Sequence, residues 1–199
     1  MASEKVVFLV RHAQSEQNVA TARLGRGDVK ALGDIIRIGY DAPLSDTGRQ
    51  QLETAATKLD GFATQHGIEV VVHSPYIRAV ETAKTIFAGF IGKPFVELLP
   101  LHERTVPEYF FPSMLQARIT QVREWLDSRP EGVVALVGHG QFFKHCINAP
   151  NVQPNVSIIR TTYSKTTGFV VASDDASPYV FKGFAEPWGS FDKPDPTKS

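Results

Sequence analysis

A chain of 199 residues, 42% of them hydrophobic, is long enough for one domain with a full core and needs neither a metal staple nor a disulfide. Its 21 basic and 21 acidic residues cancel, which argues against a surface built for nucleic-acid backbones or anionic membranes and leaves any positive potential local. Cys146 is the single cysteine, so an intramolecular disulfide and a cysteine-rich zinc knuckle are excluded, and a reducing compartment is the natural reading.

The opening residues, MASEKVV, carry no basic stretch leading into a long apolar run, and no stretch reaches bilayer-spanning length. The chain therefore reads as soluble and cytoplasmic. Residues 6–10, VVFLV, then form a strand that ends abruptly in Arg11-His12 and a polar string, AQSEQN. Residues 19–40 make a long connection, with Arg23, Arg26, Lys30 and Arg37 set against Asp28 and Asp34. The segment ALGDIIRIGY within it has helical spacing and serves either as a lid helix beside a pocket or as a solvated insertion.

Leu52, Ala55, Ala56, Leu59 and Phe62 fall at the three-and-four spacing of one helix face, predicting a helix over 45–66. IEVVVHSP reads as a strand. It passes into a helix with Ser74 as N-cap, Pro75 at the first helical position, and Ile77, Val80, Ala83 and Phe87 on one stripe. A short strand follows at 95–99, and Leu115, Ile119, Val122 and Leu126 mark a helix that ends before SRPEG. Further strands are expected at 133–137, 156–161, 169–172 and 179–181. Continuous apolar strands separated by helices indicate an α/β sheet covered on both faces. One domain over residues 1–187 is expected, with 188–199 a loosely attached C-terminal tail. Asn155 heads a formal glycosylation sequon, NVS, which has no use in a chain without an export signal.

A second strand, VVALV at 133–137, also runs almost straight into a histidine, His139. Function in open α/β sheets collects beyond the carboxyl ends of the strands. Those ends would bring Arg11, His12, His139, Ser74 and Arg78 together, beside helix N-termini whose dipoles favour an anion. Such a group suits phosphoryl transfer to histidine: a neutral imidazole is a nucleophile, and two guanidinium forks clamp phosphoryl oxygens with no metal or other cofactor. Asn18 would add a neutral donor. Arg78 has a plainer alternative, an ion pair with Glu81 on its own helix. His12, His139 and Glu103 could also be read as a metal centre, but two adjacent arginines would repel a divalent cation.

RHAQSEQN resembles the RHG signature of the histidine phosphatase superfamily, the phosphoglycerate mutase-like proteins. PLSDTGRQQ, SPYIRAVETA, LHE and VGHG follow in that family's order, so the resemblance spans residues 6–145. It implies an α/β fold, a three-layer αβα sandwich with a mostly parallel central sheet flanked by helices, and a phosphohistidine mechanism. By the same resemblance His12 is the nucleophile, and Arg11, Arg78 and His139 form the phosphate pocket. Asn18 resembles a further oxygen ligand; Gly140 is assigned to that site as well, and Ser15 is placed behind it, with a turn or cap hydroxyl as its plainer alternative.

Glu103 resembles the family's proton donor, although Glu108 lies on the same loop. Ala13 stands where the signature has glycine, a tolerable change if the backbone there has no positive φ. The segments after Asn18 and Glu103 lack the mutase pattern, which favours a metal-independent phosphatase over a phosphoglycerate or phosphosugar mutase. A non-catalytic phosphate-binding module on the same fold is the third reading. The expected partner is a phosphorylated substrate, with no nucleic acid and no membrane. His73 and His102 are expected to be solvent-exposed or helix-capping, and His66 and His145 to have no functional role.

Overall fold

In the computed structural model, which describes residues 4–171 and 179–185, the first apolar run forms strand β1 (Lys5–Arg11). Its side chains alternate between two cores, Val7 and Leu9 into one and Phe8 and Val10 into the other. An unbroken apolar run is what a strand covered on both faces requires.

The chain continues through α1 (Glu16–Gly25), α2 (Ala31–Ile38), α3 (Asp46–Lys58) and the single turn α4 (Phe62–Gln65). Next come β2 (Val70–His73), α5 (Ile77–Ile86), β3 (Phe95–Glu97), α6 (Val106–Phe110) and α7 (Pro112–Asp127). The described chain closes with β4 (Val133–Gly138), α8 (Gly140–Cys146), β5 (Ile158–Ser164), β6 (Gly168–Val171) and β7 (Tyr179–Phe181). No described helix is long and apolar enough to cross a membrane.

The strands form one sheet in the order β3-β2-β4-β1-β5-β6, with β7 also paired to β5. The four strands from β3 to β1 are parallel, and β5, β6 and β7 join antiparallel. Leu52, Ala55, Phe62, Ala83 and Ile86 bring α3, α4 and α5 onto one face. Leu115, Ile119, Val122, Leu126, Phe142 and Phe143 bring α7 and α8 onto the other. The result is the expected three-layer αβα arrangement around a mixed, mostly parallel sheet.

Several boundaries differ from the sequence reading, each for a local reason. The helix expected over 45–66 breaks at Gly61, whose φ of 73° is left-handed and turns the chain into α4. The strand expected at 95–99 ends at Glu97, because Leu99–Leu101 forms a 3-10 turn containing Pro100. The strand expected at 156–161 starts at Ile158 and runs to Ser164, since Val156 has a φ of 60°, incompatible with a pleated strand. The segment ALGDIIRIGY does form a helix, α2, and α1 precedes it in what had been read as a connection. Ala172 and the expected tail at 188–199 lie outside the described residues.

Helix α3 approaches the loop after β1 more closely than a side chain would permit. A Cβ added at Gly48 would collide with the backbone carbonyl of Gln14, a group already held by the Ser45 N–H. Gly48→Ala is therefore expected to destabilise the fold by about 1–3 kcal/mol, the usual cost of forcing a methyl group into a filled space. Thermal denaturation of that variant beside Ser45→Ala, which removes the helix cap and the hydroxyl's bonds to Gln14 but adds no atom at residue 48, separates the collision from lost hydrogen bonds.

Candidate active site

Strand register assembles the site. Arg11 pairs with Gly138 across β1 and β4, and the His12 N–H donates to the Gly138 carbonyl at 2.9 Å. The next residue on each strand is a histidine, so the His12 and His139 rings meet edge to face, 5.0 Å between centroids. On the far side of β4, the Ser74 N–H donates to the Val137 carbonyl at 2.9 Å, which sets the end of β2 beside His139. Three parallel strands thus deliver their carboxyl ends to one point.

The tautomer of His12 follows from its partner. Nδ1 lies 2.6 Å from the Ala13 carbonyl, which can only accept, so Nδ1 carries the proton and Nε2 keeps its lone pair. Burial, then Arg78 and Arg11, hold the His12 pKa well below its usual 6.5, so the ring is neutral. The Arg78 Nε–H points at that lone pair from 3.4 Å. Ala13 has no positive φ, so the exchange of glycine for alanine carries no backbone strain.

His139 is fully buried, and burial followed by the charges of His12 and Arg78 lowers its pKa well below 6.5. Its Nε2 lies 2.8 Å from the Ser74 hydroxyl, whose oxygen accepts from the Tyr76 N–H at 3.3 Å. The hydroxyl proton can then be donated to His139 Nε2, and in that tautomer the ring proton sits on Nδ1. That Nδ1 has no protein partner and lies 4.0 Å from Glu103 Oε2. Ser74 is therefore not the cap of α5. Its hydroxyl is engaged by His139, the helix begins at Ile77 rather than Pro75, and the Ile77 N–H donates to Asp41 Oδ1 at 2.7 Å.

Arg78 is 1% exposed and does not pair with Glu81; it donates from Nη1 to the Tyr40 carbonyl at 2.8 Å, which ties the end of the α2 segment to the pocket. Arg11 donates from Nη1 to the Gln153 carbonyl at 2.6 Å and packs on Gly140, where a Cβ would meet the Arg11 side chain at 2.9 Å. Gly140 thus gives Arg11 its room. Asn155 of the sequon is fully buried and donates from Nδ2 to the His12 carbonyl at 3.0 Å.

The two glutamates have separate environments. Glu103 is partly exposed, accepts the Arg104 N–H on Oε1 at 2.8 Å and turns Oε2 toward His139. Glu108 is buried, with Oε1 and Oε2 taken up by Arg118 at 2.8 and 2.7 Å and Oε2 also accepting the Thr105 N–H. Burial pushes the Glu108 carboxyl up, but the Arg118 and Thr105 bonds outweigh it and bring the pKa to about 2 from an ordinary 4.5. A depressed folded pKa contributes stability that is complete above 4.5 and is lost as pH falls from there toward 2. Glu108→Gln should flatten the loss of stability over that window and, by leaving Arg118 buried and unpaired, cost about 3–5 kcal/mol at pH 7. Urea titrations at stepped pH measure both effects.

A sequence profile of the histidine phosphatase superfamily (branch 1) matches residues 7–110, over half of the chain. The chain belongs to this superfamily. Among similar proteins, the chain is 31% identical over 97 residues to phosphoglycerate mutase-like protein 1 of Arabidopsis thaliana, a match covering 49% of this chain and 32% of that protein. The chain thus spans about a third of the length of the curated relatives it matches. Its fold is that of a mycobacterial glucosyl-3-phosphoglycerate phosphatase, at TM-score 0.54 and 18% identity over 79% of this chain and 92% of that one. A phosphoglycerate mutase from Bacillus anthracis shares it at TM-score 0.56 and 16% identity, over 82% and 89% of the two chains.

Within the site, Arg11, His12, Arg78, Glu103 and His139 come together at the carboxyl ends of the strands, whereas Ser15 and Asn18 contact each other. Ser15 caps α1, and its N–H and hydroxyl both donate to Asn18 Oδ1. Nitrogen and oxygen atoms of His12, Glu103 and His139 lie within 4.8 Å of one another, a spacing that a cation could use. The guanidinium on the His12 lone pair opposes one there. His73, expected exposed or capping, is buried with Nδ1 2.9 Å from the Ser74 carbonyl. His145 accepts from Arg104 Nη1 at 3.1 Å, and His66 packs at a tilt against the rings of Phe8 and Phe62. Gln153 and Asn155 are positioning groups that the sequence does not reveal, because they lie in a loop without periodicity; Ser74 is expected at the site, but its bond to His139 is not.

Proposed function

We propose that this chain hydrolyses a phosphomonoester in two steps. His12 Nε2 attacks phosphorus, the bond to the alcohol oxygen breaks, and Glu103 donates its proton to that oxygen as the alcohol leaves. Water then attacks the phosphohistidine, Glu103 accepts its proton, and inorganic phosphate departs with His12 restored. The observation that carries this reading is a buried, neutral His12 whose Nε2 lone pair, held by a long bond from the Arg78 guanidinium, is flanked by His139. Charge on the equatorial oxygens is met by Arg11, Arg78 and His139, the electrostatic work that magnesium performs in other phosphoryl transfers.

Superfamily membership, and the phosphatases among proteins of the same fold, agree with this chemistry. Rapid quench during turnover of a phosphorus-labelled ester should trap acid-labile label on a peptide containing His12. Phosphate release should persist in EDTA, and phosphoglycerates, if consumed, should yield inorganic phosphate without fast exchange of isomers. Isomer exchange outpacing release would replace hydrolysis with mutase activity.

A further inference from the structure

The protein surface next to Glu103 is unusually apolar. Within nine residues Val106, Tyr109, Phe110, Phe111 and Met114 are all at least half exposed, with Phe110 at 76% and Phe111 at 61%. A run of this size on a polar surface marks a place where something apolar binds. It begins three residues after the proton donor. Tyr109 stands beside Glu103: the Arg104 guanidinium lies over its ring at 3.9 Å, and the Arg104 N–H holds the Glu103 carboxylate. Deeper in, the Tyr76 ring meets His139 edge-on at 5.3 Å, which continues the aromatic surface toward the phosphoryl position. Tyr40, whose carbonyl anchors Arg78, is half exposed as well.

The cations beside Glu103 are engaged. Arg104 donates to His145 and to the Glu108 carbonyl, and Arg118 donates to Glu108 and to the carbonyls of Pro100 and His102. An anionic group on the leaving alcohol would meet the Glu103 carboxylate, with the terminal guanidinium nitrogens of Arg104 and Arg118 already hydrogen-bonded within the protein. An uncharged apolar group would meet Tyr76, Tyr109 and Phe110.

We infer that the substrates of this site are phosphomonoesters of bulky apolar alcohols, whose hydrocarbon portion rests on the surface formed by Val106, Tyr109, Phe110 and Phe111. This rests on the phosphomonoesterase reading, and the test separates the two. Ethyl-, butyl- and octylphosphonate, which cannot be hydrolysed, are titrated into the full chain by calorimetry, and phosphate release is measured from the corresponding alkyl phosphates, whose leaving alcohols differ little in acidity. Kd should fall by roughly 100-fold from ethyl- to octylphosphonate, the effect of a few buried methylenes, with kcat/KM rising in parallel. In the double variant Phe110→Ser, Phe111→Ser the ratio of octyl to ethyl affinity should fall toward one.

Affinity that rises with chain length without phosphate release refutes hydrolysis and leaves the apolar site standing. Phosphate release with no dependence on chain length overturns the apolar site and leaves hydrolysis standing. A wild-type ratio retained in the double variant, or self-association of the chain that removes the chain-length effect, also overturns it.

Discussion

His12→Ala is expected to abolish formation of the phosphoenzyme and to lower turnover of any phosphomonoester by roughly 1,000-fold or more. In this reading the neighbouring Glu103 carboxylate handles the proton and His12 Nε2 forms the bond to phosphorus, so loss of this nitrogen removes the covalent step itself. The fold should survive, because the fully buried neighbours of His12 are held by sheet pairing rather than by its ring. The pH dependence of kcat/KM supplies a second readout. His12 attacks only when neutral, and burial with Arg78 and Arg11 lowers its pKa well below 6.5. Activity should therefore remain high as pH falls through 6.5, and the acid limb should lie well below that value. Full activity in His12→Ala, or an acid limb above 6.5, would remove His12 as the nucleophile.

The second large effect concerns Glu103. An alkoxide needs a proton in the transition state, whereas a nitrophenolate leaves nearly as well without one. Glu103→Gln should cut the phosphorylation step with alkyl phosphates by roughly 100-fold or more while that with p-nitrophenyl phosphate changes far less. Because the same carboxylate activates water in the second step, single-turnover measurements of phosphoenzyme formation are the ones to compare. Glu108→Gln is the informative contrast: with both carboxylate oxygens on Arg118, it should lower stability without a leaving-group-dependent rate effect. A leaving-group-dependent loss in Glu108→Gln but not in Glu103→Gln would move the proton donor to the wrong side of α6.

Much of the site was legible because its groups stand directly after strands. Apolar runs at 6–10, 70–72 and 133–137 end in His12, His73-Ser74 and His139, and parallel pairing of adjacent strands leaves such residues side by side. The choice between Glu103 and Glu108 was not legible. Both follow the same turn, and only the arrival of Arg118 from α7, ten residues past Glu108, distinguishes a carboxylate locked in an ion pair from one turned toward His139. Ser74 misled for a related reason. A serine before a proline and a helical stripe satisfies every local rule for an N-cap, and the competing partner, His139, is 65 residues away.

By itself the sequence determined the α/β class, the double-faced burial of the sheet, the two histidines and two arginines of the pocket, and superfamily membership. These depend on periodicity and on motifs that are local in the chain, where side-chain spacing translates directly into a buried face or a loop. Tertiary structure alone decided the tautomer of His12, the different environments of Glu103 and Glu108, the burial of Asn155 against His12 and the apolar surface beside Glu103. Each of those depends on which distant group fills one hydrogen bond or covers one ring. In a close-packed interior that is settled by the approach of elements far apart in sequence, such as β5 behind His12 and α7 beneath Glu108.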